Sequence, residues 1–265
     1  MLELEFAQLT DTGKVRPHNE DYIGHVQPES PEQTHSHGWL FAVADGVGGQ
    51  DLGEVASRTA IESILKGFRQ TKPGEAHSAV LPRIIQSANT EVYEAGRAAS
   101  PGGVRIATTI VACALRFDRA VVAHVGDSRC YVIRNRHATA LTRDHTMVNE
   151  QVRLGVMSAK EAAQATTKNI LSKSLGNDLF VNVDVDEHQI FPGDVLVLCS
   201  DGLHGPVPEP EIARVLAQER DLNTAAHLLV ELANRDGSDN VSVQIVRIRA
   251  VERVGMYRGR PYKLR

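Results

Sequence analysis

Apolar side chains recur along this chain in two patterns, and each pattern predicts one kind of element. Short runs rich in Val, Ile, Leu and Phe, several of them alternating with polar residues, predict strands. These runs are residues 3–10, 20–26, 39–45, 106–116, 119–126, 129–135, 181–190, 194–200 and 240–249. Polar segments at 116–119 and 134–137 are typical of turns between neighbouring strands. The middle of the chain is therefore predicted to be an antiparallel meander.

Apolar positions spaced three and four residues apart predict helices in the remaining segments. The clearest helical regions are 53–68, 79–99, 209–218 and 222–234. Residues 146–175 favour short helices, one of which begins at the capping-box sequence Ser158-Ala-Lys-Glu161. Because the helices form blocks between strands and do not alternate with single strands, the pattern predicts an α+β fold with an antiparallel core, not a doubly wound sheet.

Two segments follow neither pattern. Residues 27–38 are polar and contain two prolines, which predicts a surface loop. The C-terminal residues 251–265 are rich in Arg and Lys and are predicted to be a solvated, disordered tail. The chain has no internal repeat or low-complexity linker, so we interpret residues 1–250 as one domain.

The composition excludes several classes of protein. The chain has 265 residues, of which 42% are hydrophobic and 23% charged, and its net charge is −4. These values are typical of soluble globular proteins and favour neither nucleic acid nor a membrane as a partner. No apolar stretch approaches the roughly 20 residues that span a bilayer, and the acidic N-terminus is not a secretory signal. The three isolated cysteines fit buried thiols in a reducing cytoplasm, so a cytoplasmic location is expected.

Several carboxylates stand where an apolar run stops. Asp45, Asp127 and Asp201 each come at or just after the end of a predicted strand. A carboxylate in that position is held rigidly at the edge of the core, and several of them converging would repel one another unless a cation lay among them. Oxygen ligands of this kind suit Mg²⁺ or Mn²⁺ and not zinc or copper.

Six short segments carry the candidate chemistry. They are Arg16-Pro-His-Asn-Glu20-Asp21, Ala44-Asp45-Gly46-Val47-Gly48-Gly49, Thr108-Thr109, Val125-Gly126-Asp127-Ser128-Arg129, Ser200-Asp201-Gly202 and Ser238-Asp239-Asn240. Taken singly, each is also compatible with an ordinary turn. The glycines after Asp45 do not make a nucleotide-binding loop, because Asp51 occupies the place of the third glycine in G-x-G-x-x-G and no G-K-[ST] follows. A tight turn that uses glycine at positive φ is the alternative there.

In their order and spacing these segments resemble the metal-dependent protein phosphatases of the PPM, or type-2C, family. The resemblance extends from Thr10 to Val243 and so covers nearly the whole chain. It implies an αββα sandwich, in which two antiparallel sheets face one another and helices cover both outer faces. It also implies metal-dependent hydrolysis of phosphoserine and phosphothreonine on proteins, by water activated between two metal ions.

The resemblance implies a role for each residue of the metal site. The residues that would hold two core Mn²⁺ or Mg²⁺ ions are Glu20, Asp45, Gly46, Asp201 and Asp239. Asp45 would bridge the two ions, and Gly46 would contribute its carbonyl oxygen. Asp21 would hold metal-bound water, with Asn240 in support.

Three residues would act in catalysis, namely Arg16, Asp45 and Asp127. Arg16 would clamp the substrate phosphate, because a guanidinium matches phosphate oxygens in a forked geometry. Asp127 would join Asp201 in holding a third, looser ion. Val47 stands where some relatives carry a histidine that is proposed to protonate the leaving oxygen. Water on a metal ion therefore becomes the expected proton donor.

Partners and substrates are implied by the resemblance alone. It implies phosphorylated proteins as substrates and a serine/threonine kinase that acts on the same proteins; we expect a monomer. Residues 146–178 correspond to the family's variable flap, from which substrate choice is not readable. Two alternatives stay open: an enzyme for small phosphate esters or one dedicated regulator, and a module that binds phosphoproteins without turnover. The second would be expected to lack metal ligands, and this chain carries them.

Overall fold

Strands and helices follow one another along the chain in blocks. The computed structural model describes residues 1–47, 52–99, 105–257 and 260–263. Its strands are β1 (Glu3–Asp11), β2 (Asp21–Val26), β3 (Trp39–Val47), β4 (Ala107–Thr108), β5 (Ile110–Arg116), β6 (Arg119–Val125), β7 (Arg129–Arg134), β8 (His137–Ala140), β9 (Asp184–Gln189), β10 (Val195–Cys199), β11 (Val241–Ala250), β12 (Val254–Tyr257) and β13 (Arg260–Lys263). Its helices are α1 (Pro31–Ser36), α2 (Gly53–Arg69), α3 (His77–Ala98), α4 (Met147–Arg153), α5 (Ala159–Gln164), α6 (Asp201–His204), α7 (Glu209–Gln218) and α8 (Leu222–Asp236).

Two antiparallel sheets lie face to face. One has the strand order β1-β11-β10-β7-β8 and the other the order β2-β3-β5-β6-β9, with β4 paired to the end of β3. Successive residues of a strand point to opposite faces. In β3, Phe41 and Val43 enter the core between the sheets, whereas Leu40 and Ala42 pack beneath α2 and α3. Helices α7 and α8 cover the outer face of the first sheet. The predicted αββα sandwich is confirmed.

The apolar residues of the chain fill this sandwich. The largest fully buried side chains include Tyr131, Phe41 and Phe68. All three cysteines are buried and free, as the sequence predicts. No helix in the described parts of the chain combines the length and the apolar character needed to cross a bilayer.

The segment between β8 and β9 carries the short helices α4 and α5. Its two ends meet where Thr146 pairs with Leu171 in an isolated antiparallel bridge. The Ser158 side chain accepts the N–H of Glu161, and the Glu161 carboxylate accepts the N–H of Ser158 at 2.8 Å. This is the capping box that the sequence predicts at the start of α5.

The interpretation of residues 27–38 as a loop is wrong in part, because they contain the short helix α1. Ser30 caps this helix by accepting the N–H of Gln33 with its side chain. Pro31 occupies the first turn, where no helical hydrogen bond requires its missing N–H. The Ser-Pro pair is the local signal that favours a helix start here.

The prediction of a disordered C-terminal tail is also wrong in part. Strands β12 and β13 pair as an antiparallel hairpin within residues 251–265, and Val254 is buried. Just before the hairpin, the Glu252 carboxylate lies 2.8 Å from Nε2 of His35 and 3.5 Å from the N-terminal ammonium. These contacts hold the start of the C-terminal segment against α1 and the N-terminus. The Arg and Lys content of the segment does not predict them.

We expect Phe41→Ala to lower the free energy of unfolding by about 3–5 kcal/mol, because the substitution leaves a cavity between the sheets. The Phe41 ring is fully buried, and its centroid lies 5.2 Å from that of Phe6 and 6.3 Å from that of Trp39. Urea denaturation followed by circular dichroism measures the change. Phe180→Ala is the control, because Phe180 is 79% exposed and its loss should cost less than about 0.5 kcal/mol. Equal midpoints for the two variants would contradict the prediction.

Candidate metal centre

Sheet pairing brings the predicted carboxylates to one end of the sandwich. Asp21 opens β2 and lies directly opposite Asp45 on β3. Strands β10 and β11 run antiparallel, so Asp201, just after β10, and Asp239, just before β11, reach the same edge of the other sheet. Asp127 lies in the connection between β6 and β7. The site is therefore built from the ends of strands in both sheets.

Asp45 lies in a strongly acidic environment. Burial raises the pKa of Asp45 well above its ordinary value, and the charges of Asp21, Asp201, Asp127 and Asp239 raise it further. Desolvation and like charges both disfavour the ionised form. A cation among these groups would remove both penalties.

Asp21 is the most enclosed of the group. Its Oδ2 accepts a hydrogen bond of 2.7 Å from the Ser200 hydroxyl, whereas its Oδ1 is buried without a hydrogen-bond partner among the described residues. Burial, and after it the charges of Asp201 and Asp239, raises the pKa of Asp21 to about 7. A buried carboxylate oxygen without a donor is an acceptor that bound water or a cation would satisfy.

Glu20 and Gly46 are held together by the backbone. The Glu20 carbonyl accepts the Gly46 N–H at 3.1 Å and the Ser57 hydroxyl at 2.6 Å. The Glu20 carboxylate reaches the first residue of α2, where a Cβ on Gly53 would lie 2.7 Å from Oε1. Glycine at position 53 is therefore what lets this side chain approach the helix. The predicted turn at Gly48 and Gly49 lies outside the described residues.

Asn240 joins the N-terminal loop to the site. Its Oδ1 accepts the Glu20 N–H at 2.8 Å, and its Nδ2 donates to the carbonyls of Thr12 and His18 at 2.8 and 2.9 Å. All three polar positions of the amide are used. Asn240 thus supports the backbone around Glu20 and Arg16 and not the Asp21 side chain directly.

Arg16 pairs with a predicted metal ligand. Its Nη2 donates to Asp239 Oδ2 at 2.8 Å, and this bond is the main cause of the raised pKa of Arg16. The two side chains are 46% and 36% exposed, so the pair lies at the mouth of the site. A metal ion on Asp239 Oδ2 would have to compete with Arg16 for that oxygen, and the sequence does not show this pair.

Asp127 lies deeper, in a turn whose first residue is Gly126 at φ +108°. It is buried, and burial together with the charges of Asp201 and Asp144 raises its pKa to about 7. Its carbonyl accepts a hydrogen bond of 2.9 Å from Nε2 of His204. Asp127 and Asp201 line one cleft of about 710 Å³, together with Asp239.

Residues 146–169 form the opposite wall of that cleft. The members of this wall are Thr146, Val148, Asn149, Val152, Ala162, Lys168 and Asn169. They all belong to the segment predicted as a flap. A phosphorylated side chain that enters the cleft would therefore contact the predicted flap on one side and the carboxylates on the other.

Several residues near the carboxylates make supporting contacts that the sequence analysis does not assign. The Thr109 hydroxyl accepts the Asp45 N–H at 3.0 Å and lies 2.7 Å from the Ser128 hydroxyl. Arg129 donates two hydrogen bonds, of 2.7 and 2.6 Å, to the Asp144 carboxylate. Thr109 stands in a segment already singled out, where it interrupts the predicted strand 106–116. Nothing in the sequence pairs Arg129 with Asp144.

These residues fit a divalent cation. Carboxylate and carbonyl oxygens are the ligands that Mg²⁺ and Mn²⁺ prefer. The unpartnered Oδ1 of Asp21 and the mutual repulsion around Asp45 are what a cation would relieve. Glu20, Asp45, Asp201 and Asp239 lie where they would hold the core ions, and their individual roles as ligands stay predictions.

A model of the family described as protein phosphatase 2C matches residues 17–244. The chain belongs to the protein phosphatase 2C family. The serine/threonine phosphatase stp of Listeria monocytogenes serotype 4b is 35% identical over 243 residues, which cover 89% of this chain and 93% of that protein. Protein phosphatase PhpP of Streptococcus pneumoniae is 29% identical over 246 residues, covering 92% of this chain and 97% of that protein.

Solved structures of the protein phosphatase 2C kind agree with this fold. The serine/threonine phosphatase of S. agalactiae superposes with a TM-score of 0.84 at 34% identity and covers 93% of this chain and 100% of that one. The catalytic domain of the phosphatase PstP, solved in complex with two manganese ions, gives a TM-score of 0.80 at 30% identity over 94% and 100% of the two chains. The predicted family is confirmed.

In metal-free protein we expect the carboxylates to make stability depend on pH. The pKa of Asp127 is about 7 in the fold and about 3.9 in an unfolded chain. Between these values the folded state binds more protons, so the free energy of unfolding falls as pH rises. Removing the charge with Asp127→Asn should flatten that fall. Between pH 5 and 8 the variant should gain more than about 1 kcal/mol relative to the wild type.

Urea denaturation in the presence of EDTA measures this difference. Buried His77 and His204, whose pKa values are lowered to about 4, act in the opposite direction below pH 6.5. They act equally in both proteins and cancel in the comparison. Asp186→Asn, on an exposed position of β9, is the control and should show no pH-dependent difference. A constant difference between Asp127→Asn and the wild type would contradict the raised pKa.

Proposed function

We propose that this chain hydrolyses phosphoserine and phosphothreonine on proteins, with Mn²⁺ or Mg²⁺ held at the carboxylate end of the sandwich. The observation that carries the proposal is the convergence of Asp21, Asp45, Asp201 and Asp239 beside the exposed guanidinium of Arg16. This arrangement supports the proposal because carboxylates that could hold cations lie next to a guanidinium that could bind phosphate. Relatives named serine/threonine phosphatases, which match almost the whole chain, support the same conclusion.

The residues that would hold two cations are Glu20, Asp45, Gly46, Asp201 and Asp239. When bound, two such ions acidify a water molecule and neutralise charge on the phosphoryl oxygens. Asp45 is the residue whose pKa is raised, after burial, by the charges of Asp21, Asp201, Asp127 and Asp239. Its backbone N–H donates to the Thr109 hydroxyl, so the main chain that carries the carboxylate is held in place before any ion binds. Preorganisation of this kind lowers the cost of charge rearrangement during reaction.

Asp21 would orient the attacking water. Its Oδ2 is occupied by the Ser200 hydroxyl, and its Oδ1 remains available as a hydrogen-bond acceptor within the described structure. Because Oδ1 has no protein donor among the described residues, it can accept a hydrogen bond from a water molecule. With Ser200 fixing the carboxylate plane, the position of that acceptor is well defined.

Arg16 would bind the phosphate in exchange for Asp239. In the absence of other ligands the two side chains pair at 2.8 Å. A cation on Asp239 would compete for that oxygen and release the guanidinium, whose fork then suits a phosphate. Metal binding at Asp239 would in this way free Arg16 to bind the substrate phosphate, and the Arg16–Asp239 ion pair links the two events.

The thiols of the chain are not candidates for the nucleophile. Cys113, Cys130 and Cys199 are all buried, and burial raises the pKa of Cys199 to about 12. A thiol with so high a pKa is not ionised near neutral pH and is a poor nucleophile. Attack by water is therefore the favoured route, and a non-catalytic module is disfavoured because every predicted ligand is present.

A third ion at Asp127, a kinase acting on the same proteins, a monomeric state and a cytoplasmic location stay predictions.

Asp45→Asn should abolish Mn²⁺-dependent hydrolysis of a phosphothreonine peptide, because the central ligand loses its charge. Circular dichroism should show an intact fold, since Asp45 lies at the rim of the core. Asp186→Asn, on an exposed position of β9, is the control and should retain full activity. Activity of Asp45→Asn within about tenfold of the wild type, a loss of only ~1.4 kcal/mol, would overturn the proposal.

Arg16→Ala should raise KM for the phosphopeptide by about 10- to 100-fold, the effect of losing hydrogen bonds to a charged group. Mn²⁺ affinity should stay the same or increase, because Asp239 loses its competitor. Arg16→Lys should restore only part of KM, since an ammonium offers no fork. Arg83→Ala, which removes an exposed pair with Glu75, is the control. A loss of Mn²⁺ affinity without a change in KM would assign Arg16 to the metal site alone.

A further inference from the structure

His145 lies between the Gly126–Asp127 turn and an acidic residue that has no part in the predicted site. Its Nδ1 accepts the Gly126 N–H at 3.1 Å, and its own backbone N–H donates to the Gly126 carbonyl at 2.9 Å. On the other side of the ring, Nε2 lies 3.2 Å from Asp184 Oδ2. The ring is buried and stacks on that of His124, with centroids 4.6 Å apart. Both polar groups of Gly126 are therefore held by one residue.

The hydrogen-bond pattern fixes the protonation of this ring. Because Nδ1 accepts a hydrogen bond, the hydrogen of the neutral ring must lie on Nε2, where it faces Asp184. The other oxygen of Asp184 lies 3.3 Å from the ammonium of Lys173. Asp184 therefore orients His145, and His145 orients the turn.

The turn depends on such support because its backbone is unusual. Gly126 has φ +108°, and a Cβ at this position would lie 2.7 Å from the Thr109 side chain. Position 126 therefore requires glycine, whose backbone is flexible. The conformation of the turn must then be fixed by contacts with other residues. On the far side, His204 donates to the Asp127 carbonyl at 2.9 Å. Between these two histidines the Asp127 carboxylate is aimed into the cleft that it shares with Asp201.

A metal site made of His124, His145 and Asp184 is the competing interpretation. These residues offer ligand atoms that lie within 4.8 Å of one another. Two contacts oppose it. The Nε2 of His145 carries hydrogen and has no lone pair to offer while Nδ1 accepts from Gly126, and the ammonium of Lys173 already lies against Asp184. The contacts favour a ring N–H that lies 3.2 Å from a carboxylate oxygen over a bound cation.

We propose that Asp184, through His145, is a positioning residue for Asp127 and thereby sets how tightly the chain holds its loosest divalent cation. The inference rests on the proposed function, because it assigns Asp127 to a cation. It adds residues that lie outside the predicted ligand set and that act on the ligand only through the backbone of Gly126. Neither residue touches substrate in this role.

Mn²⁺ titration of Asp184 variants tests the inference. Asp184 is 42% exposed, so Asp184→Ala should fold. Calorimetry with MnCl2 should show unchanged tight binding and a weak phase whose Kd rises roughly 10- to 100-fold, the usual effect of losing a residue that supports a metal ligand. Asp184→Asn keeps a partially negative oxygen close to the Nε2 hydrogen and should restore part of the affinity. Hydrolysis of nitrophenyl phosphate by Asp184→Ala should recover at high Mn²⁺ concentration.

A double-mutant cycle separates positioning from general damage. In an Asp127→Ala background, which lacks the ligand, adding Asp184→Ala should change weak Mn²⁺ binding and turnover less than twofold. Asp186→Ala, at an exposed position on the same strand, is the matched control and should leave both unchanged.

Three results would overturn the inference. They are unchanged Mn²⁺ binding in Asp184→Ala, equal losses with and without Asp127, and a Zn²⁺ site in the wild type that disappears in Asp184→Ala. A wild-type protein that binds Mn²⁺ in a tight and a weak phase but hydrolyses no phosphate ester would instead overturn the proposed function. The calorimetric comparison would still decide the role of Asp184.

Discussion

The repulsion among carboxylates at one end of the sandwich is the constraint on which the rest of the site depends. Each of these groups would be more stable in water, and the fold holds them together at the cost of raised pKa values for Asp21, Asp45, Asp127 and Asp201. Residues that are unfavourable for stability and kept in precise positions are typical of functional sites. A divalent cation would neutralise this repulsion, and the free energy released would favour its binding.

The two sheets of the sandwich hold the like charges close together. Asp21 and Asp45 lie on adjacent strands of one sheet, and Asp201 and Asp239 lie at the ends of adjacent strands of the other. The apolar core between the sheets, with Phe41 near its centre, fixes the distance between these pairs. A close-packed interior resists small displacements, so the positions of the predicted ligands are determined by residues outside the predicted site.

Much of this arrangement could be predicted from the sequence, because it depends on local patterns. Alternating apolar residues give the strands, and the ends of those strands give the carboxylates. What could not be predicted depends on contacts between distant segments. The pair of Arg16 with Asp239 joins residues 223 positions apart, and the contact of His145 with Gly126 depends on how two turns meet. Neither leaves a periodic signal, since each side chain is compatible with an ordinary surface position.

The pairing of the first long strand with one of the last has a consequence for how the protein is made. Strand β1 is hydrogen-bonded along its length to β11, from Glu3 opposite Ala250 to Asp11 opposite Val241. During translation, more than two hundred residues are added after β1 before its partner β11 is synthesised. Until then the edge of β1 is unpaired, and unpaired strand edges are prone to aggregation. Asp239 and Asn240 emerge just before β11, so the nascent chain cannot assemble its complete set of carboxylates until synthesis has almost reached the end of the sandwich.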